Sequence, residues 1–86
     1  MPTISEFFGI LILMFYSDHA PPHFHARYGD DEALIQISPL GLLKGKLPPR
    51  ALSLVIEWAQ VHQKELLNEW NNASNNKKLQ KIPPLQ

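Results

Sequence analysis

The chain of 86 residues contains no cysteine, so neither a disulfide framework nor a thiolate zinc site can stabilise it. A domain this small must depend on core packing, on a metal bound by histidines, or on association. An excess of charge of one sign is also absent, because the formal net charge is zero. Neutralising phosphates normally takes surplus lysine and arginine, so this balance disfavours binding to nucleic acid by bulk charge and leaves only a local basic patch open.

Long hydrophobic runs are missing too. The apolar stretch from Phe7 to Phe15 has only about nine residues, whereas a membrane helix needs roughly 20. It also lacks the basic segment and cleavage site of a signal peptide. We therefore expect a cytoplasmic protein with no membrane association. With 44% hydrophobic and 19% charged residues the composition is that of an ordinary globular core, and we predict a single domain over residues 1–86.

The first half of the chain carries the pattern of β-strands. The run Phe7 to Phe15 is short and continuous, which predicts one strand covered on both faces and central in a sheet; a buried helix is the alternative. His23 to Tyr28 alternates between apolar and polar residues, and Ala33 to Ser38 resumes after a turn signal at Gly29-Asp30-Asp31, which predicts a hairpin. Leu42 to Leu47 predicts a short edge strand whose lysines discourage further pairing. We expect a mostly antiparallel sheet of three or four strands over about residues 4–47.

The second half predicts one long helix over about residues 49–72, followed by an extended tail over residues 73–86. Pro48-Pro49 suits a helix start, because proline is tolerated in the first turn. An apolar stripe should cover one face of the sheet and complete an α+β fold; it consists of Leu52, Val55, Ala59, Leu66 and Trp70. Leu54, Trp58 and Val61 lie on its flank. Because an exposed apolar patch is costly unless covered, we predict these three as a partner-binding surface.

Three of the four histidines lie in the segment SDHAPPHFHARYGD, from Ser17 to Asp30. His23 and His25 stand at i and i+2 of a predicted strand, so both imidazoles project from one face with bases roughly 7 Å apart. Such a pair suits two ligands of one divalent metal such as zinc, and His19 or Asp18 could supply a third.

Two interpretations without a metal stay open for the same residues. Histidine titrates near neutrality, so His23 and His25 could act as an acid–base pair in RNA cleavage, with Arg27 near the phosphate. Alternatively, the histidines hold the turn by hydrogen bonds to backbone carbonyls. His62 falls on the core stripe and is interpreted as a partly buried core histidine.

Two further signals are weaker. Lys44, Lys46 and Arg50 form a basic cluster, which we interpret as a solvent-exposed face. A phosphate bound at the start of the helix would also contact these residues. Removal of Met1 would leave Pro2 at the amino terminus, as in the small tautomerases that use an amino-terminal proline as base. Those proteins place a helix directly after the first strand, whereas strands come first here, so this interpretation is disfavoured.

Several segments strongly resemble a family of small bacterial proteins classed as a domain of unknown function, whose signature is His-x-Pro-Pro-His-Phe-His. They include His19 to Ala26 with Tyr28-Gly29, Leu47-Pro48, Glu57 to Ala59 and Lys81 to Leu85. The motif positions are His19, Pro21, Pro22, His23, Phe24 and His25, while Pro49 departs from many relatives. The resemblance implies a stand-alone domain, often encoded next to another small protein in an arrangement similar to toxin-antitoxin pairs. Some relatives are labelled transcriptional regulators, and no catalytic residues are established.

Three functions follow as hypotheses. The leading one is an interaction protein, half of a two-gene module of toxin-antitoxin type, which binds a small protein encoded by a neighbouring gene or a second copy of itself. The rival is a nuclease or hydrolase that uses His23, His25 and Arg27, with or without a metal. A DNA-binding regulator is third, disfavoured by the neutral charge and by the lack of a recognisable helix-turn-helix.

Overall fold

The computed structural model describes residues 3–86, which form one antiparallel sheet and two helices. The strands lie side by side in chain order, and each is antiparallel to its neighbours. The elements are β1 (Thr3–Phe7), β2 (Ile10–Leu13), β3 (His23–Tyr28), β4 (Asp31–Gln36), β5 (Gly41–Gly45), α1 (Pro49–Val61) and α2 (Gln63–Ser74). The α+β class is confirmed, but the sheet has five strands rather than three or four. Pro2, on which the tautomerase interpretation depends, lies outside the described residues.

The sequence predicted that the apolar run Phe7 to Phe15 forms one strand, and this prediction was wrong. β1 ends at Phe7 and β2 begins at Ile10, with a two-residue turn at Phe8-Gly9 between them. Both turn residues have positive φ, 51° and 78°, as a tight hairpin requires. Phenylalanine is a poor signal for such a turn, which is why the sequence pattern concealed the break. Only the second half of the run lies inside the sheet, because β2 pairs with both β1 and β3.

The predicted hairpin and edge strand are both confirmed. β3 and β4 pair from Tyr28 opposite Asp31 to His23 opposite Gln36, which places the turn at Gly29-Asp30. β5 lies at one edge of the sheet, as the lysine-bearing segment predicted. At the other edge, the Ile82 N–H donates a hydrogen bond of 2.8 Å to the Ile4 carbonyl, so the extended tail lies against β1.

The predicted single helix is interrupted at His62, between α1 and α2. Neither glycine nor proline occurs from Arg50 to Ser74, so the residue pattern does not mark this break. Tertiary contacts accompany it. The Gln63 side-chain amide donates to the Ile37 carbonyl at 2.6 Å, and α2 then brings Trp70 against the ring of His23. The helix start at Pro49 agrees with the prediction.

The core lies between the helices and one face of the sheet, and Trp58 is its largest fully buried side chain. Its ring packs against Phe7 and Phe24, and its Nε1 donates a hydrogen bond of 2.8 Å to the Pro83 carbonyl. The prediction that Trp58 belongs to an exposed partner-binding flank was therefore wrong. Val61 is 73% exposed and Leu54 is half-buried, so the three residues form no continuous surface. Over residues 3–86, neither helix has the length and apolar character needed to cross a membrane.

Candidate functional site

His23 and His25 occupy the first and third positions of β3 and project from the same face, as the alternation predicted. Their ring centroids lie 5.3 Å apart. Packing holds both rings in place: Trp70 lies 5.2 Å from the His23 ring, and Phe15 meets the His25 ring edge-on at 4.5 Å. The two imidazoles therefore have little freedom to rotate.

Asp18, in the loop between β2 and β3, completes the cluster. Its Oδ2 lies 3.1 Å from Nε2 of His23 and 3.1 Å from Nε2 of His25. Its other oxygen, Oδ1, accepts a hydrogen bond of 2.8 Å from the His19 backbone N–H, which orients the carboxylate. One ligand atom from each of the three residues lies within 4.8 Å of the others, a spacing that one metal ion could bridge.

The outer nitrogens of both rings are already engaged. Nδ1 of His23 lies 2.8 Å from the Pro21 carbonyl, which can only accept, so this nitrogen donates. Nδ1 of His25 lies 2.9 Å from Oε2 of Glu32, and an ionised carboxylate also only accepts. A neutral imidazole carries a single N–H, and we assign it to Nδ1 in both rings from these partners. With both rings neutral, each Nε2 presents a lone pair towards Asp18. The hydrogen bond of 3.1 Å between Nε2 of His25 and Oδ2 of Asp18 requires a second proton on the His25 ring.

In the form with neutral rings, two lone pairs and a carboxylate meet without a proton between them. Nε2 of His23 lies 3.1 Å from Oδ2 of Asp18 but forms no hydrogen bond with it or with any other atom of residues 3–86, although the His23 side chain is only 5% exposed. An unsatisfied buried polar atom is unfavourable and requires an explanation. Either an added proton on a ring or a bound cation would supply the missing positive charge.

The pKa of each neighbouring carboxyl group lies below its usual value. For Asp18, partial burial acts to raise the pKa, but the hydrogen bonds to His25 and to the His19 N–H, with the charges of both histidines, outweigh it. For Glu32, the hydrogen bond to His25 lowers the pKa, and the adjacent Arg27 lowers it further against a smaller effect of burial. Both groups are therefore ionised at neutral pH and act as acceptors.

The other predicted site residues lie outside this cluster. His19 is exposed and contributes only its backbone N–H, so Asp18, not His19, is the third ligand candidate. Arg27 points along the same face as the histidines, but its Nε contacts Glu32 at 3.3 Å rather than an imidazole. His62 lies on the helical side, where its Nδ1 is 2.6 Å from Oε1 of Glu65.

Sequence reasoning missed two residues of the site. Glu32 is opposite Arg27 in the hairpin register and therefore on the histidine face, diagonal to His25. Counting both strands outward from the Gly29-Asp30 turn would have found it. Trp70 was predicted only as part of the helix stripe, and no sequence signal places its ring against His23.

The fold and the cluster together define a small α+β protein with a histidine–carboxylate site at one end of its sheet. Residues 9–71 match the family described as Domain of unknown function (DUF4160), and the chain belongs to that family. No curated protein and no solved structure matches the chain.

Proposed function

We propose that this protein is a metal-dependent hydrolase whose metal is bound by Asp18, His23 and His25. The observation that carries the proposal is the buried Nε2 of His23, which forms no hydrogen bond within residues 3–86 and lies, like Nε2 of His25, 3.1 Å from Oδ2 of Asp18. A cation between these atoms would satisfy all three at once. The burial of His23 argues that the arrangement is built into the fold.

The ligand set favours one group of metals. Two imidazoles and one carboxylate suit Zn²⁺ or a similar divalent transition metal, whereas Ca²⁺ and Mg²⁺ prefer oxygen ligands alone. Three protein ligands with a further position open are typical of catalytic rather than structural zinc sites. A metal bound in this way would lower the pKa of a coordinated water to about 7 and supply hydroxide at neutral pH.

The surrounding residues would orient the ligands and favour an anionic substrate. The Pro21 carbonyl and Glu32 accept the outer N–H of each histidine, which is the usual outer-shell support of metal-binding imidazoles. Arg27 lies two residues beyond His25 on the same face and is about one-third exposed. Its charge next to the cluster supports a phosphate ester as the substrate class.

A network without a metal is the competing interpretation. In it, His23 and His25 would hold the loop between β2 and β3 through Pro21 and Asp18, or would act as an acid–base pair. Partner binding in a two-gene module and DNA binding also stay hypotheses. The first now needs a surface other than the one centred on Trp58, because that ring is fully buried.

The test is zinc binding by titration calorimetry on protein purified without tag or chelator, together with its metal content by mass spectrometry. We expect near-stoichiometric binding in the parent chain and none in the His23→Ala, His25→Ala double variant. The matched controls are His19→Ala and His62→Ala, which remove histidines outside the cluster and should leave binding intact. Equal loss in a control, or no binding in the parent chain, would contradict the metal site.

Hydrolysis is tested separately with a chromogenic phosphodiester. We expect turnover that needs the metal and that falls in Arg27→Gln, while zinc binding by the same variant is retained. Stoichiometric zinc without metal-dependent turnover would keep the metal site and reject the hydrolase.

A further inference from the structure

The end of the sheet opposite the histidines carries a groove of about 180 Å³, here called the aromatic groove. The turn between β1 and β2, the end of β3 and the start of α1 form its walls. Its lining includes the side chains of Phe8, Ile10, Tyr28, Pro48, Arg50 and Leu54. None of them belongs to the histidine cluster, so an inference from the groove is independent of the proposed metal.

Phe8 is the unexpected residue of this groove. It takes the first central position of the two-residue turn with φ 51°, a backbone region that is unfavourable for residues with a β-carbon. Asparagine or glycine is preferred there. The Phe8 side chain is also 62% exposed. Folding alone does not select an exposed aromatic ring on a strained backbone, and such strain concentrates at functional sites.

The size of the groove decides between a small ligand and a side chain. Pockets for drug-sized ligands typically run to about 300–1,000 Å³, which exceeds the 180 Å³ here. The groove suits one large apolar side chain. Aromatic residues and arginine at its rim are the types that dominate binding energy at protein interfaces.

The positive charge at the rim of the groove indicates which type of residue should stand next to the inserted apolar side chain. Arg50 is exposed and forms no ion pair with any carboxylate of residues 3–86. It is the second residue of α1, whose first turn contains no acidic residue. A positive side chain at the positive end of a helix is unfavourable on its own, whereas a carboxylate bound there would be attracted by both.

We infer that the aromatic groove docks a segment of a partner protein that inserts one large apolar side chain beside Phe8 and Tyr28. The same segment places an adjacent aspartate or glutamate against Arg50 and the start of α1. This surface replaces the predicted flank of Trp58 and Val61 and retains only Leu54 from it.

The experiment is selection of random linear heptapeptides displayed on phage against the full chain, followed by fluorescence anisotropy with the enriched peptides. We expect enriched sequences that pair an aromatic or large aliphatic residue with an adjacent Asp or Glu. Their Kd should rise at least about tenfold in Phe8→Asn and in Arg50→Gln, since each removes an interface residue of the hot-spot type. His19→Ala, exposed at the far end of the sheet, is the control and should bind as the parent chain does.

Phe8→Asn is chosen because asparagine suits the turn, so the variant should fold; its melting temperature confirms this. Failure to enrich any peptide over a counter-selection on Phe8→Asn would overturn the inference. Enriched peptides without an acidic residue, indifferent to Arg50→Gln, would overturn it as well. A parent chain that dimerises in sedimentation while Phe8→Asn is monomeric would overturn it in favour of a second copy as the occupant.

Discussion

The two ends of the sheet differ in how their unusual side chains are satisfied. At the histidine end, backbone and side-chain hydrogen bonds hold two imidazoles and the Asp18 carboxylate in place, and the buried Nε2 of His23 forms no hydrogen bond within the described part of the chain. At the other end, Phe8 and Tyr28 expose aromatic surface around the aromatic groove. The first end presents the polar atoms that the proposed metal would satisfy. The second presents apolar, open surface, which the inferred partner segment would cover.

Strand β3 contributes residues to both ends of the sheet. β3 directs His23, His25 and Arg27 to one face and Phe24, Ala26 and Tyr28 to the other; of the second set, Phe24 and Ala26 lie in the core. Variants at one end should therefore leave the other end intact unless they damage the core that both share.

The largest effect is expected from Trp58→Ala, which should lower the stability of the whole domain and so disrupt both ends of the sheet. Replacing a fully buried tryptophan costs about 3–5 kcal/mol, a large fraction of the roughly 5–15 kcal/mol that stabilises a typical domain. Urea unfolding followed by circular dichroism measures this loss. The control, Trp58→Phe, keeps one aromatic ring but removes the pyrrole half of the indole and its hydrogen bond to Pro83, and should lose less stability than Trp58→Ala. An unchanged midpoint in Trp58→Ala would contradict the buried position.

The next effect is expected from Asp18→Asn, at the histidine end alone. Loss of the charged ligand should weaken zinc affinity by more than the roughly 10–100-fold that outer-shell partners account for. Titration calorimetry measures the change. Asp30→Asn, in the exposed turn at the opposite end of β3, is the matched control and should bind zinc as before. Equal affinity in both variants would remove Asp18 from the site.

Glu32→Gln should have a smaller effect on the same property. The amide oxygen can still accept from His25 Nδ1, but the negative charge that strengthens the imidazole as a ligand is lost. We expect a drop in zinc affinity of about tenfold to 100-fold. The control is Arg27→Gln, which removes the other partner of Glu32 and leaves the bond to His25 in place. A larger loss in the control than in Glu32→Gln would contradict the orienting role.

The smallest effect is expected at the groove end, from a comparison of Phe8→Asn with Phe8→Ala. Both remove the ring, but only asparagine tolerates the positive φ, so Phe8→Asn should be more stable by about 1 kcal/mol. In a domain of this size that corresponds to a melting temperature higher by roughly 4–8 °C. Zinc binding should be the same in both variants. Equal melting temperatures would argue against backbone strain at Phe8.

The predictions from sequence succeeded where a local period decides the outcome. Alternation along His23 to Tyr28 predicted the shared face of the two histidines, and the turn signal Gly29-Asp30-Asp31 predicted the hairpin. The predictions failed at the run Phe7 to Phe15, because a phenylalanine stands where turn residues are expected. They failed again at His62, where the helix breaks without glycine or proline.

The sequence by itself determined the α+β class, the hairpin, the start of the helix and the pairing of His23 with His25, since each follows from the spacing of nearby residues. Only the tertiary structure decided that Asp18 rather than His19 completes the cluster, that Glu32 supports His25, and that Trp58 is buried. Those outcomes depend on the loop conformation, on strand register and on the packing of helices against the sheet. Such contacts join residues far apart in the chain, and no local period records them.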